Sequence, residues 1–245
     1  MVETEAIANR DLNWKINESA ALSNKFDHLK GFLPEDFASV LDVAAGTGAL
    51  HDSLAKWKEH RYTMVDISPE AVRQAQQKGI EAVIADVENQ HLPFPDNSFD
   101  LVVATHLLEH LRNPWSALAD MARVSNRYIF VYCPNFVTLS DRFRVLFGRA
   151  PTQMRADAHG GVVDQQGRHI DHIYFMTYAN FVYWAERLGL EVLRSRAWWY
   201  RRYAPLRWIL EPLFKNFADS FEIILVKPAG WRMPDNPNFQ KPERK

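Results

Sequence analysis

The chain has 245 residues, 29 of them basic and 30 acidic, a formal net charge of −1, and 47% hydrophobic residues. That size suits one α/β domain carrying an insertion, and the charge balance argues against a broad nucleic-acid surface. The lone cysteine, Cys133, excludes an intramolecular disulfide and a cysteine zinc cluster. No apolar run reaches the roughly 18 residues of a membrane-spanning helix, and residues 1–5 lack the basic-then-apolar layout of a signal peptide, so a cytoplasmic protein is expected.

Residues 1–37 are polar, with scattered apolar positions such as Leu12, Trp14 and Ile16, and read as an N-terminal helical cap. It either covers the sheet or forms a lid over a ligand. Residues 40–43 then read as a short buried strand, followed by Ala44-Ala45-Gly46-Thr47-Gly48 and a helix whose Leu50, Leu54 and Trp57 share a face. Strand, glycine turn and helix make a cradle for a nucleotide or nucleoside, because glycine lets the backbone approach closely and a helix start offers unpaired N–H groups. A dinucleotide turn wants a third glycine, and His51 holds that place.

Residues 61–67 form a second strand that ends in Asp66, about twenty residues after Gly46, where an acceptor-only carboxylate suits two ribose hydroxyls. A strand-end acid carries little packing, so replacing Asp66 by alanine is expected to spare the fold. Ser68-Pro69-Glu70 supplies an N-cap, a first-turn proline and a first-turn acid to a helix that stops at Gly79. Residues 81–85 form a third strand, followed by Asp86 and Val87. Residues 92–100 lead into a fourth strand, 101–105, ending at Thr105 and followed by His106-Leu107-Leu108-Glu109-His110. A helix opens at Asn113-Pro114 with Trp115, Leu118, Met121 and Ala122 inward, and residues 127–133 form a fifth strand.

Asp42, four residues before a G-x-G turn, together with the stretch LPFPDNSFDLV entering the fourth strand, resembles the class I S-adenosylmethionine (SAM) dependent methyltransferases, the type 11 group in particular. One departure is Ala44, where that family usually has glycine. The resemblance spans roughly residues 38–228. It implies a Rossmann-like fold, a seven-stranded mostly parallel sheet with an antiparallel last strand and helices on both faces. It also implies SAM as cofactor, held by Asp42, Ala44, Gly46, Gly48, Asp66, Ile67, Asp86, Val87 and Thr105, with Asp86 toward the adenine amino group.

Residues 136–176 interrupt the rhythm. Leu139, Phe143, Leu146 and Phe147 suggest a short amphipathic helix with Arg142, Arg144 and Arg149, then a polar loop over 157–169. In the family, insertions here shape the acceptor pocket. A helix over 177–188, a strand over 190–199, an apolar helical piece over 204–217 and a strand over 221–226 complete the domain, and residues 229–245 read as a loose tail. The 204–217 piece could cover the sheet, lie on a membrane surface or meet a second copy. Arginines and aromatics interleaved over 194–208 fit a buried strand and helix with solvated charges better than a nucleic-acid surface.

Methyl transfer to a small-molecule or glycan-like acceptor follows from the resemblance, with oxygen as the favoured atom. A hydroxyl acceptor needs a base, and His106, His110 and His172 are the candidates. Metal-independent catalysis is expected. The rival is a metal held by His106, Glu109 and His110, a set softer than magnesium prefers. The H-x-x-E-H spacing also resembles an inverted zinc-protease signature, which requires a helix. From other classes come a catalytically silent SAM-binding or interaction module and an RNA or protein methyltransferase. The intact acids Asp42, Asp66 and Asp86 speak against the first, and the charge balance against RNA.

Overall fold

A computed structural model of the protein describes residues 26–149, 151, 172–198 and 215–241. The strands are β1 (Ser39–Val43), β2 (Arg61–Asp66), β3 (Glu81–Ile84), β4 (Phe99–Thr105), β5 (Ser125–Pro134), β6 (Glu191–Trp198) and β7 (Ser220–Val226). They form one seven-stranded sheet in the order β3-β2-β1-β4-β5-β7-β6. β1 to β5 pair in parallel, and β7 lies antiparallel between β5 and β6. The described helices are α1 (Ala49–Leu54), α2 (Pro69–Gln77), α3 (Pro114–Val124), α4 (Leu139–Leu146) and α5 (Tyr178–Arg187).

Strand alternation divides the apolar residues between two faces. Leu41, Val43, Val102, Ala104, Ile129 and Val131 pack with Trp115, Leu118 and Ala122 of α3 and Phe181 and Ala185 of α5. Val40, Met64, Leu101, Val103 and Phe130 pack with Leu50 and Leu54 of α1 and Val72 and Ala75 of α2. Helices therefore cover both faces, as the family resemblance implied. The caps follow the sequence: the Ser68 hydroxyl accepts the Ala71 N–H, Asn113 the Ser116 N–H, and Thr177 the Asn180 N–H.

Residues 26–37 cover the α1–α2 face, with Leu29, Leu33 and Phe37 buried there. His28 sits 2.6 Å from Glu222 of β7, and its ring meets Trp198 edge-on. Any lid role of the N-terminal cap falls on residues 1–25, outside the described residues, as do the loop over 157–169 and residues 204–214 of the expected helical piece. The arginines of β6 are engaged internally: Arg196 grips Glu222 through two nitrogens at 2.9 and 2.6 Å, and Arg194 donates to the Phe32 carbonyl.

The expectation of a loose C-terminal tail is corrected for its described residues, 229–241. Phe239 is buried in the core beside Trp184, the Trp231 indole donates to the Leu188 carbonyl at 2.7 Å, and Lys241 donates to the Val87 carbonyl. A lone aromatic among prolines and charges has no periodicity to betray it, yet burying a phenylalanine outweighs the ordering of a few loop residues.

Candidate functional site

The ligand edge lies at the carboxyl ends of β1 to β5, and the strand order reverses between β1 and β4, where an open α/β sheet has its crevice. On leaving β1, Ala44 and Ala45 donate their N–H groups to the Val65 carbonyl at 2.8 and 3.2 Å. Ala44, Gly46 and Gly48 then take φ of 59°, 59° and 80°. For Ala44 this is the left-handed region, which costs a residue with a Cβ about 1–2 kcal/mol and explains why glycine is the family's choice there. At Gly48 a Cβ would also meet the Ile80 side chain at 2.7 Å.

Two carboxylates brace the turn. Asp66 is buried; its Oδ2 accepts the Gly46 N–H at 2.8 Å and its Oδ1 the Ser68 N–H at 2.9 Å. The idea that Asp66 carries little of the fold is therefore corrected: it ties the β1 turn to the start of α2 through two charge-assisted bonds. Asp42 lies beneath the turn, buried, and accepts the Tyr62 hydroxyl at 2.5 Å. Asp86 closes its own turn, accepting the N–H groups of Glu88 and Asn89 at 3.0 and 3.3 Å. Ile67 is exposed at the same edge, Thr105 and Ala44 are half-buried, and Val87 is buried. A backbone turn flanked by strand-end acids has the donors and acceptors that a ribose and an adenine amino group need, so these residues fit SAM.

Beyond β4 the chemistry changes to imidazoles. His106 takes φ of 53°, a strained value for a side chain of its size, held by its N–H donating to the Tyr132 carbonyl at 2.9 Å. Its ring packs edge-on against Tyr132, and Nδ1 lies 3.2 Å from Glu109 Oε1. The His106 side chain is 36% exposed while Glu109 is wholly buried, so the dyad has one open end. Burial by itself pushes the Glu109 carboxyl up, but the hydrogen bond and charge of His106 and the charge of His110 hold it below the usual carboxylate range. Its Oε2 accepts the Cys133 thiol at 3.7 Å, and burial pushes that thiol well up, keeping it protonated.

Leu108–His110 is a 3-10 turn, not the helix that would set His110 alongside His106. The protease geometry fails for the same reason. His110 turns instead to His172, ring centroids 4.9 Å apart. Ile173 and Tyr174 donate their N–H groups to the Glu109 carbonyl at 2.9 and 3.0 Å, which fastens the His172 segment to the end of β4. Burial pushes the His172 imidazole down to about 4, against the pull of Glu109, so it is neutral near pH 7.

The three histidines thus gather around Glu109, with His106 on one side and His110 with His172 on the other. The contact of Glu109 with His106 was open to a reading of the i, i+3 spacing, which suggested only a metal or protease motif. The contact with His172, 63 positions along the chain, had no local signal.

Residues 41–128 match the family model described as "Methyltransferase domain". A ubiquinone/menaquinone biosynthesis C-methyltransferase of Cupriavidus pinatubonensis is 36% identical over 91 residues, 35% of this chain and 37% of that protein. The mitochondrial arginine-hydroxylase NDUFAF5 of Homo sapiens is 25% identical over 188 residues, 71% of this chain and 52% of that protein. A SAM-dependent methyltransferase of Thermotoga maritima superposes with a TM-score of 0.62 at 17% identity, covering 93% of this chain and all of that one. The chain spans about a third of the length of the first curated relatives it matches.

Proposed function

We propose that this chain, whose residues 41–128 carry the methyltransferase-domain signature within a class I methyltransferase fold, moves a methyl group from SAM to an oxygen of a small-molecule or glycan-like acceptor. The observation that carries the reading is the glycine turn between β1 and α1, tied to Asp66 at the strand-order reversal.

Asp66, Ile67, Asp86, Val87 and the 44–48 turn would hold the cofactor, with Asp42 beneath it. When bound, SAM supplies an electrophilic methyl group on a sulfonium that leaves as a neutral thioether. The chain then has to align the acceptor and take its proton. His106 suits the second task, because Nδ1 faces Glu109 and leaves Nε2 for the acceptor. A buried, ionised Glu109 fixes the tautomer and steadies the imidazolium that forms, as an orienting carboxylate does for a histidine base. The 136–176 insertion, of which His172 is part, would form the acceptor wall.

Calorimetry with SAM and its demethylated product tests the reading first. Binding of both is expected, and failure of the wild-type chain to bind either ends it. A second reading has one observation behind it, the similarity over 188 residues to a protein named as an arginine-hydroxylase. In that case the cofactor turn would be kept while the chemistry beyond β4 differs, and the chain would bind SAM without methylating any acceptor.

A further inference from the structure

We infer that Glu109, His110 and His172 form a binding site for a divalent transition metal, with open coordination positions beside His106. Each of the three brings one ligand atom within 4.8 Å of the others. A metal bonded at about 2.0–2.2 Å draws neighbouring ligand atoms to roughly 3 Å, so the set must close by up to about 2 Å, within the reach of side-chain torsions. The backbone already supplies the coarse geometry. Glu109 and His110 belong to one 3-10 turn, and the segment after His172 is fastened to that turn by two N–H bonds to the Glu109 carbonyl.

Two polar groups in the set are poorly served as they stand. The His172 Nδ1 is buried with no hydrogen-bond partner among the described residues. The Glu109 carboxylate is wholly buried, and its described partners are one imidazole at 3.2 Å, one weak thiol donor at 3.7 Å and its own backbone N–H. A carboxylate with about four acceptor sites removed from water calls for more than that, and buried charges are ordinarily paired or bound to a metal. Coordination would supply the missing partner to both.

The donor set narrows the ion. Two imidazoles and one carboxylate suit zinc, iron(II), cobalt or nickel, and suit magnesium or calcium poorly. Three protein ligands leave at least one position open, as in catalytic rather than structural sites. His110 is exposed, which leaves the set open to solvent on that side. His106, bonded to Oε1, would be the outer partner that orients the Glu109 ligand, and Oε2, which meets only the weak Cys133 thiol donor among the described side chains, would take the metal. This departs from the metal-independent reaction expected from sequence, and it places His172 where the sequence-based rival placed His106. The site itself does not depend on methyl transfer. Only its role, holding the acceptor oxygen next to His106, rests on the function proposed above.

The test uses the untagged full chain stripped with chelator, titrated with Co²⁺ by visible absorption and with Zn²⁺ by equilibrium dialysis and elemental analysis. One ion per chain is expected, with Zn²⁺ bound at least about a hundredfold more tightly than Mg²⁺. His110→Ala, His172→Ala and Glu109→Gln should each weaken Zn²⁺ at least about tenfold, a loss at least as large as that from an outer-partner change. His91→Ala, away from the cluster and paired with Asp120, should not. Calorimetry of the SAM product on the same preparations reports whether the variants are folded. No ion bound by a wild-type chain that binds the product overturns the metal site, as does unchanged uptake in folded His110→Ala and His172→Ala. Metal uptake without product binding leaves the metal site standing and removes the methyltransferase reading.

Discussion

At the β1–β2 end of the ligand edge, main-chain N–H groups of Gly46 and Ser68 converge on one carboxylate, Asp66, and the partners lie 20 and 2 positions apart. At the β4–β5 end, side chains converge on another carboxylate, Glu109, from His106, Cys133 and, more loosely, His110 and His172. The first arrangement fixes backbone shape and leaves little freedom, which suits a cofactor of fixed form. The second gathers imidazoles around a buried carboxylate, which suits proton transfer or metal binding. A carboxylate is the organising group in both. One is anchored by main-chain donors, whereas the other is met by side chains that can relay a proton or bind a metal.

The sharpest way to separate the two ends is His106→Ala. If the β4 end does chemistry and the β1 end binds, turnover falls about 10²–10⁴-fold, a barrier increase of about 3–5 kcal/mol. Cofactor affinity by calorimetry stays at the wild-type value. Parallel losses in affinity and turnover would mean that His106 belongs to the binding end, and wild-type turnover would mean that the acceptor needs no base here.

Asp66→Asn probes the other end. One of its two buried N–H partners would then face an amide NH₂ and lose a charge-assisted bond, for about 1.5–3 kcal/mol of stability. Both the urea midpoint and the affinity for SAM are expected to drop. Lost affinity without lost stability would restore the simpler picture of an acid that serves the ribose alone.

These two ends were not equally legible. The β1 turn was readable because its determinants are local: Asp42, the small residues 44–48 and Asp66 fall within one strand-turn-helix-strand unit. The two-faced helix cover followed from the family resemblance that this unit carries. His172 and Glu109 meet only because the chain returns past an insertion, and no periodicity encodes that. Phe239 and Trp231 were missed for a related reason, since single aromatics in a proline-rich segment carry no pattern until the groove between α3 and α5 exists to receive them.

Ala44→Gly should have a smaller effect, and of the opposite sign. Releasing an alanine from φ of 59° recovers about 1–2 kcal/mol, offset by the greater freedom of glycine in the unfolded chain, for a net gain of about 0.5–1 kcal/mol. Chemical denaturation with and without SAM checks it. A stability gain alongside weaker cofactor binding would mean that the methyl group of Ala44 touches the ligand.

The smallest expected effect is at the far edge of the sheet, where Asp100 joins the starts of β1 and β4 with no ligand nearby. Its Oδ2 accepts the Ala38 N–H at 2.9 Å, the Ser39 N–H at 3.0 Å and the Ser39 hydroxyl at 3.0 Å. Burial pushes the Asp100 carboxyl up, but these bonds and that from Asn126 outweigh it and hold the group below its ordinary value. A depressed carboxylate stabilises the fold above its unfolded value, near 4, and that contribution disappears as pH falls through the lower native value. The substitution Asp100→Asn keeps a side-chain carbonyl for the same donors, so the loss at pH 7 should stay below about 0.5 kcal/mol. The gap between wild type and variant should narrow as the pH drops below 4, while SAM affinity at pH 7 is untouched. Urea titrations at pH 7, 5 and 3.5 would read it. A gap that stays constant with pH would assign the effect to packing rather than charge. A change in cofactor affinity would mean that the two edges of the sheet are coupled through β1 and β4.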